Sequence, residues 1–303
     1  MSTPEERVLL AERPPAMDVV VAETDEAAVA RRERLRLLLR SKTFLAGAVL
    51  VGFWVFCAFF GRAIAPDSPF ATDILAKLAE PSGAHWFGTD NLGRDVFARV
   101  LAGARDILIV APLATLLGTV VGTALGLLTG YFRGLVDDVL MRVVDAFLAL
   151  PVVIIGLLAL TALGPSRTTV VLVIGFIFAP IIARTVRAAV LSERELDYVA
   201  AARLRNESAP YIMFAEILPN VAAPILVEFT VRLGYAIFAI ATLSFLGFGI
   251  QRPAPDWGLQ VADHYTLINA GYWWPTLFPA LAIATLVVGV NLIADGITRV
   301  FER

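Results

Sequence analysis

The chain has 303 residues, of which 58% are hydrophobic and 17% charged, with a formal net charge of -2. A water-soluble domain of that length needs more polar residues to cover its surface, so the composition excludes a soluble enzyme in favour of a protein that faces lipid. A single cysteine, Cys57, excludes an intrachain disulfide and a cysteine-built metal site.

Acidic residues Glu5, Glu6, Glu12, Asp18, Glu23, Asp25 and Glu26 crowd the start of the chain, ahead of a basic cluster and without apolar periodicity. Residues 1–40 are therefore expected to form a mostly disordered cytoplasmic tail. They read as no signal peptide, because the first long apolar run starts only near Thr43. Residues 41–303 read as a transmembrane domain. A membrane-crossing helix takes about 20 apolar residues for about 30 Å of hydrocarbon. Uncharged stretches recur at Thr43–Gly61, Ile107–Phe132, Ala146–Ser166, Thr168–Ala183 and Tyr272–Ala294, and Leu218–Gln251 carries just two charges near its start. The expectation is an all-α membrane protein with six spans. Placing both termini in the cytoplasm puts fifteen Lys and Arg residues inside and seven outside, so the expected orientation is N-in and C-in.

The outer loop, residues 62–106, and the inner loop, residues 184–217, are too long for simple turns, and loops of such length usually carry function. In the outer loop Gly88 and Gly93 permit tight turns, while Asp90, Arg94 and Asp95 can form a charge-assisted network that locks the loop. An amphipathic helix, Val96–Ala104, is expected to lead from it into the second span. Gly118, Gly122, Gly126 and Gly130 then recur along one stripe, which suits close helix packing within this subunit or against a second one. Pro151 and Pro180 are expected to kink spans three and four.

The front half of the inner loop alternates apolar and charged positions at helical spacing. Val190, Leu191, Tyr198, Val199 and Ala202 are expected on one face, with Glu193, Arg194, Glu195, Asp197 and Arg203 solvated. The small side chains Ala200, Ala201 and Ala202 let another backbone approach. Asn206 suits a left-handed turn, and a second short helix follows with Ser208 as N-cap, Pro210 in its first turn and Ile217, Leu218 and Pro219 at its end. In span five Glu228 and Arg232 lie one turn apart, roughly 14 and 20 Å past Pro219 at 1.5 Å per residue. Two readings stand for them: a self-neutralising ion pair that packs the helix, or groups beside a translocation pathway.

A phosphate-binding loop needs Gly-Lys followed by Ser or Thr, and the two lysines, Lys42 and Lys77, do not follow glycine. His85 and His264 stand apart in sequence with no hydrolase motif around them, and His264 reads as a surface residue. Nothing marks a catalytic residue or a metal site.

The block from His85 to Ile107 carries Gly88, Thr89, Asp90, Leu92, Gly93, Arg94 and Asp95. It resembles the Gly-Thr-Asp-x-Leu-Gly-Arg-Asp signature of the dipeptide, oligopeptide and nickel permease family of ATP-binding-cassette (ABC) importers. Leu243–Gly258 resembles that family's Leu-Ser-Phe-Leu-Gly-x-Gly segment, and Asn291–Gly296 its ending. The inner loop resembles the family's Glu-Ala-Ala docking loop. Ala201 and Ala202 match its alanines and Ile217, Leu218 and Pro219 its Ile-Leu-Pro, but Ala200 replaces Glu and Asn206 replaces Gly. The resemblance extends from about residue 40 to the end and suits the C-type subunit.

That resemblance implies a multi-pass permease subunit of the cytoplasmic (inner) membrane that moves di- and oligopeptides by alternating access. It implies a B-type permease partner, an extracytoplasmic substrate-binding protein, surrounding membrane lipid and no nucleic acid. ATP and Mg would be bound by two ATPase subunits or one fused ATPase, leaving this chain without a cofactor and not an enzyme. Nickel or glutathione remain open as substrates. An ion-gradient-driven transporter working through Glu228 and Arg232 and an intramembrane enzyme are the rival classes.

Overall fold

The computed structural model describes residue 33 and residues 36–301 of the chain. Residues 33 and 36–40 are helical, and the other residues of the tail expected over 1–40 lie outside the described residues. Nine helices organise the remainder: α1 Lys42–Ile64, α2 Val96–Phe132, α3 Leu135–Leu148, α4 Val152–Leu163, α5 Arg167–Glu193, α6 Asp197–Leu204, α7 Ala222–Phe245, α8 Trp257–His264 and α9 Trp274–Phe301. Among the described residues no strand forms. Side-chain oxygens open several of the helices: Ser41 accepts from the Phe44 amide, Asp95 from Ala98, Ser166 from Thr169 and Asp256 from Leu259. Each satisfies an amide that the first helical turn leaves without a partner.

Helices α1, α2, α5, α7 and α9 are each long and apolar enough to cross a membrane. The third span differs from expectation. The stretch Ala146–Ser166 is split, because α3 and α4 meet at 90° around Ala149–Pro151. Pro151 has no N–H to continue α3, and its ring disfavours a helical residue before it, so it opens α4 instead of kinking a single span. With 12 residues α4 is about 18 Å long, shorter than the hydrocarbon core. The spans therefore number five long helices plus this bent pair, or six if the pair counts as one. Pro180, by contrast, lies inside α5, which continues unbroken to Glu193 and takes up the first part of the expected inner loop.

Helix α2 has 37 residues and is about 55 Å long, so its first turns stand clear of the hydrocarbon. Val96, Ala98, Arg99, Val100, Leu101, Ala102 and Ala104 are all buried there, so this stretch has no wet face and is not amphipathic. The glycine stripe of α2 packs within the chain. A Cβ on Gly118 would meet Gly175 O at 2.8 Å, and one on Gly126 would meet Val186 Cβ at 2.6 Å, both on α5.

Candidate functional site

The inner loop is two arms around a turn. After α5 ends at Glu193, a turn over 194–196 intervenes before α6, so the expected single front helix is two helices. Val190, Val199 and Ala202 are fully buried and share one apolar core with Ile212, Met213 and Ile217. Asn206 takes a positive φ of 58°, and the Glu207 amide donates to Ala202 O at 3.2 Å, closing α6 as a left-handed C-terminal motif does. The second arm runs over 209–220, with the Ser208 oxygen accepting from the Tyr211 amide and Pro210 in the first turn. Its middle, Ile212–Ile217, is π-helical. Pro219 accounts for this wide turn: it offers no N–H, and its ring would clash with the Ala215 carbonyl in a normal helix.

Charged side chains tie the arms to the spans. The Arg194 Nη1 donates to Tyr131 O at 2.6 Å and Gly130 O at 3.3 Å, satisfying carbonyls that α2 leaves free at its end. Arg133 meets Glu195 at 2.8 Å, and Arg205 bridges to Glu216 at 3.1 Å. The Tyr198 hydroxyl donates to Glu193 Oε2 at 2.8 Å. Burial, and then the Glu193 bond, push the Tyr198 phenol up to about 12, so it stays a donor. Glu193 and Arg194, expected to be solvated, are thus drawn inward, whereas Asp197 has no ion pair among the described residues and stays exposed. The solvent-facing tip consists of Ala200, Ala201, Arg203 and Leu204, the last 85% exposed. Ala202 faces inward, so the backbone its small side chain admits belongs to this chain. Leu218 is half-buried and Pro219 exposed.

The outer motif folds into a sealed cap. Asp90, 1% exposed, accepts from the Leu92 and Arg94 amides and from Arg94 Nε at 2.6 Å, and its carboxylate lies 3.8 Å from Arg99 Nε. Thr89 is fully buried, accepting from the Ala79 amide and donating to Ala76 O. Gly88 and Gly93 have φ of 71° and 72°, and a Cβ on Gly93 would fall 1.7 Å from Asp73 O, so no other residue fits that turn. Asp95 caps α2 and binds His85 Nδ1 at 2.9 Å. Leu92 is exposed.

The segment after α7 clasps this cap. Trp257 Nε1 donates to Val100 O at 2.8 Å and Trp274 Nε1 to Thr89 O at 3.0 Å. His264 is not a surface residue: it is 1% exposed, with Nδ1 donating to Gln260 O at 2.7 Å and Nε2 3.1 Å from the Asn91 side-chain amide. Burial pushes its pKa below the ordinary 6.5, while the buried Asp256 carboxyl is pushed up to about 6 by desolvation. Asp67, His85 and Asp95 place possible ligand atoms within 4.8 Å of one another, but the His85–Asp95 hydrogen bond and the capping bond already account for Asp95.

Glu228 and Arg232 form the ion pair that their spacing allows, at 2.6 Å, with 12% and 19% of their side chains exposed. Arg232 also stacks over Tyr235 at 5.2 Å and reaches a cavity of about 240 Å³ between α4, α5 and α7. Sequence reading missed Arg99, Arg194 and Trp257 as tying residues. Their partners include backbone carbonyls remote in sequence, Pro69 O at 3.1 Å from Arg99 Nη1 among them, which no local pattern announces.

The family model described as the inner membrane component of binding-protein-dependent transport systems matches residues 122–303. The chain is 41% identical over 264 residues to the dipeptide transport system permease protein DppC of Escherichia coli, covering 85% of this chain and 88% of that one. It is 36% identical over 266 residues to the protein of the same description in Alkalihalophilus pseudofirmus, covering 88% and 87%. With the probable D,D-dipeptide transport system permease protein DdpC of Escherichia coli it shares 35% over 268 residues, covering 88% and 89%.

Proposed function

This chain belongs to the family of binding-protein-dependent transport system inner membrane components, and from that premise we propose that it is the C-type permease subunit of an ABC importer for short peptides. It is a multi-pass membrane subunit of a transport complex. Dipeptides are the proposed cargo because the relatives over most of its length carry dipeptide permease descriptions. The proposed assembly adds a B-type permease, an extracytoplasmic binding protein, and ATPase subunits that bind ATP and Mg on the cytoplasmic side.

One observation carries the coupling role. The tip of α6 presents Ala200, Ala201 and Leu204 to solvent on a loop whose inner side is packed and ion-paired. Such a loop moves as a body, so a push on α6 reaches α2 through Arg194 and α5 through Glu193. Ala200 in place of Glu leaves the exposed Asp197 as the acidic residue of α6. Within the spans, Glu228 and Arg232 are proposed to lie beside the pathway, where peptide termini of both signs must pass. Both termini and the α6 loop are proposed to lie in the cytoplasm.

The test is uptake of a labelled dipeptide into vesicles holding the reconstituted complex and its binding protein. ATP-dependent uptake, indifferent to proton and sodium gradients, is expected. Uptake driven by an ion gradient without ATP, or transport of nickel or glutathione but no dipeptide, would overturn the reading.

A further inference from the structure

An open cleft of about 540 Å³ lies between α1, α2 and α7. Its walls are apolar, and the one charged residue lining it is Arg105. The two main walls run antiparallel, so Val51 and Pro112 lie at one end of the cleft and Phe59 and Arg105 at the other. From Val51 to Phe59 the helix rises about 12 Å, and from Arg105 to Pro112 about 10.5 Å, so the walls match in length.

Arg105 makes no ion pair among the described residues, and the neighbouring Asp106 carboxylate is held by Arg167 at 2.8 Å. Directly after these two charges comes the uncharged run Ile107–Phe132, so Arg105 stands where hydrocarbon gives way to headgroups. An apolar slot along the bilayer normal with a guanidinium at its outer end has the shape and charge of a phospholipid's complement.

We propose that this cleft is a specific lipid site, holding one acyl chain of an outer-leaflet anionic phospholipid whose phosphate is bound by Arg105. Lipid already surrounds the protein, so transferring a chain into the cleft gains little from water exclusion. Selectivity comes instead from the planar, always-charged guanidinium, which can bind two phosphate oxygens through parallel hydrogen bonds. Occupancy would fill the seam where α1 meets α2 and α7. The outer leaflet follows from the proposed orientation, whereas the pairing of cleft and Arg105 does not.

The test uses the whole purified complex in nanodiscs containing phosphatidylglycerol with a photoreactive group on its acyl chain, and maps the labelled peptides. Labelling is expected within 51–59 and 105–112. It should fall at least tenfold in Arg105→Gln, recover in part in Arg105→Lys, and fall in Ala58→Trp, which fills the slot. Should Ala58→Trp fail to assemble, the Arg105 pair decides. Equal labelling of these segments in wild type and Arg105→Gln would overturn the proposal, as would a cross-link from Phe59→Cys to the second permease subunit. These readouts involve no transport, so they stand or fall independently of the peptide assignment.

Discussion

The outer cap and the inner docking loop are built by opposite rules. In the cap, Thr89, Asp90, Asp95, Arg99, Asp256, Gln260 and His264 are polar or charged yet buried, each tied to backbone or to another charge. In the loop, the buried groups are apolar, and the outward tip sets small and apolar side chains, led by Leu204, beside the charges of Asp197 and Arg203. A buried polar network holds one geometry, because any member that leaves strands its partners without hydrogen bonds. An exposed apolar tip gives the isolated chain nothing, and its use lies in contact with something else. The long outer motif is thus explained by folding, and the shorter, divergent inner one by the docking proposed for it.

This contrast breaks first at Asp90. Asp90→Ala leaves the Arg94 and Arg99 guanidiniums buried without their carboxylate, which is expected to cost about 3–5 kcal/mol. Thermal unfolding in detergent should show it as a large fall in midpoint and in membrane accumulation, and an unchanged midpoint would show that the cap is not held by this network. Arg194→Gln comes next, with a cost of about 1.5–3 kcal/mol for losing charged hydrogen bonds to Tyr131 and Gly130 carbonyls. Its ATPase should no longer respond to binding protein and peptide, which an Arg194 serving stability alone would leave intact.

A smaller effect sharpens the comparison through pH. His264 has its pKa lowered in the fold, so between the ordinary 6.5 and that lower value the unfolded chain takes up a proton that the native one refuses. Stability from this group is present above pH 6.5 and is lost as pH falls. The unfolding midpoint of wild type relative to His264→Asn should therefore decrease on acidification, and a gap that is constant or widens in wild type's favour would contradict the burial of a neutral ring. Smallest in stability is Leu204→Asp, expected within about 0.5 kcal/mol of wild type because the residue touches little, yet strongly impaired in ATP-driven uptake.

Features set by local chemistry were legible in the sequence. The positive φ at Asn206, the Ser208 cap, the turns at Gly88 and Gly93 and the Glu228–Arg232 pair follow from spacing and side-chain type alone. Long-range features were not. The run Ala146–Ser166 reports apolar character but no direction, so the right angle at Pro151 stayed hidden. His264 and Glu193 sit in sequences that read as wet: a distant segment brings Asn91 over the one, and the turn over 194–196 folds Tyr198 back over the other. The inward face of Ala202, by contrast, was legible from its helical spacing to Val199, and both are buried. That the stripe from Gly118 to Gly130 serves α5, and not a second subunit, became clear from packing.

The central claim is that the tip of α6 is where the ATPase engages. Leu204→Cys in the assembled transporter tests it most directly, since the native Cys57 is buried at 4% exposure and remote from the loop. With a short thiol cross-linker, a covalent adduct between this position and an ATPase subunit is expected, its yield changing when ATP is added. Cross-linking of the outer-cap position Leu92→Cys to the ATPase instead, or none at Leu204→Cys in a complex that still transports, would contradict the account.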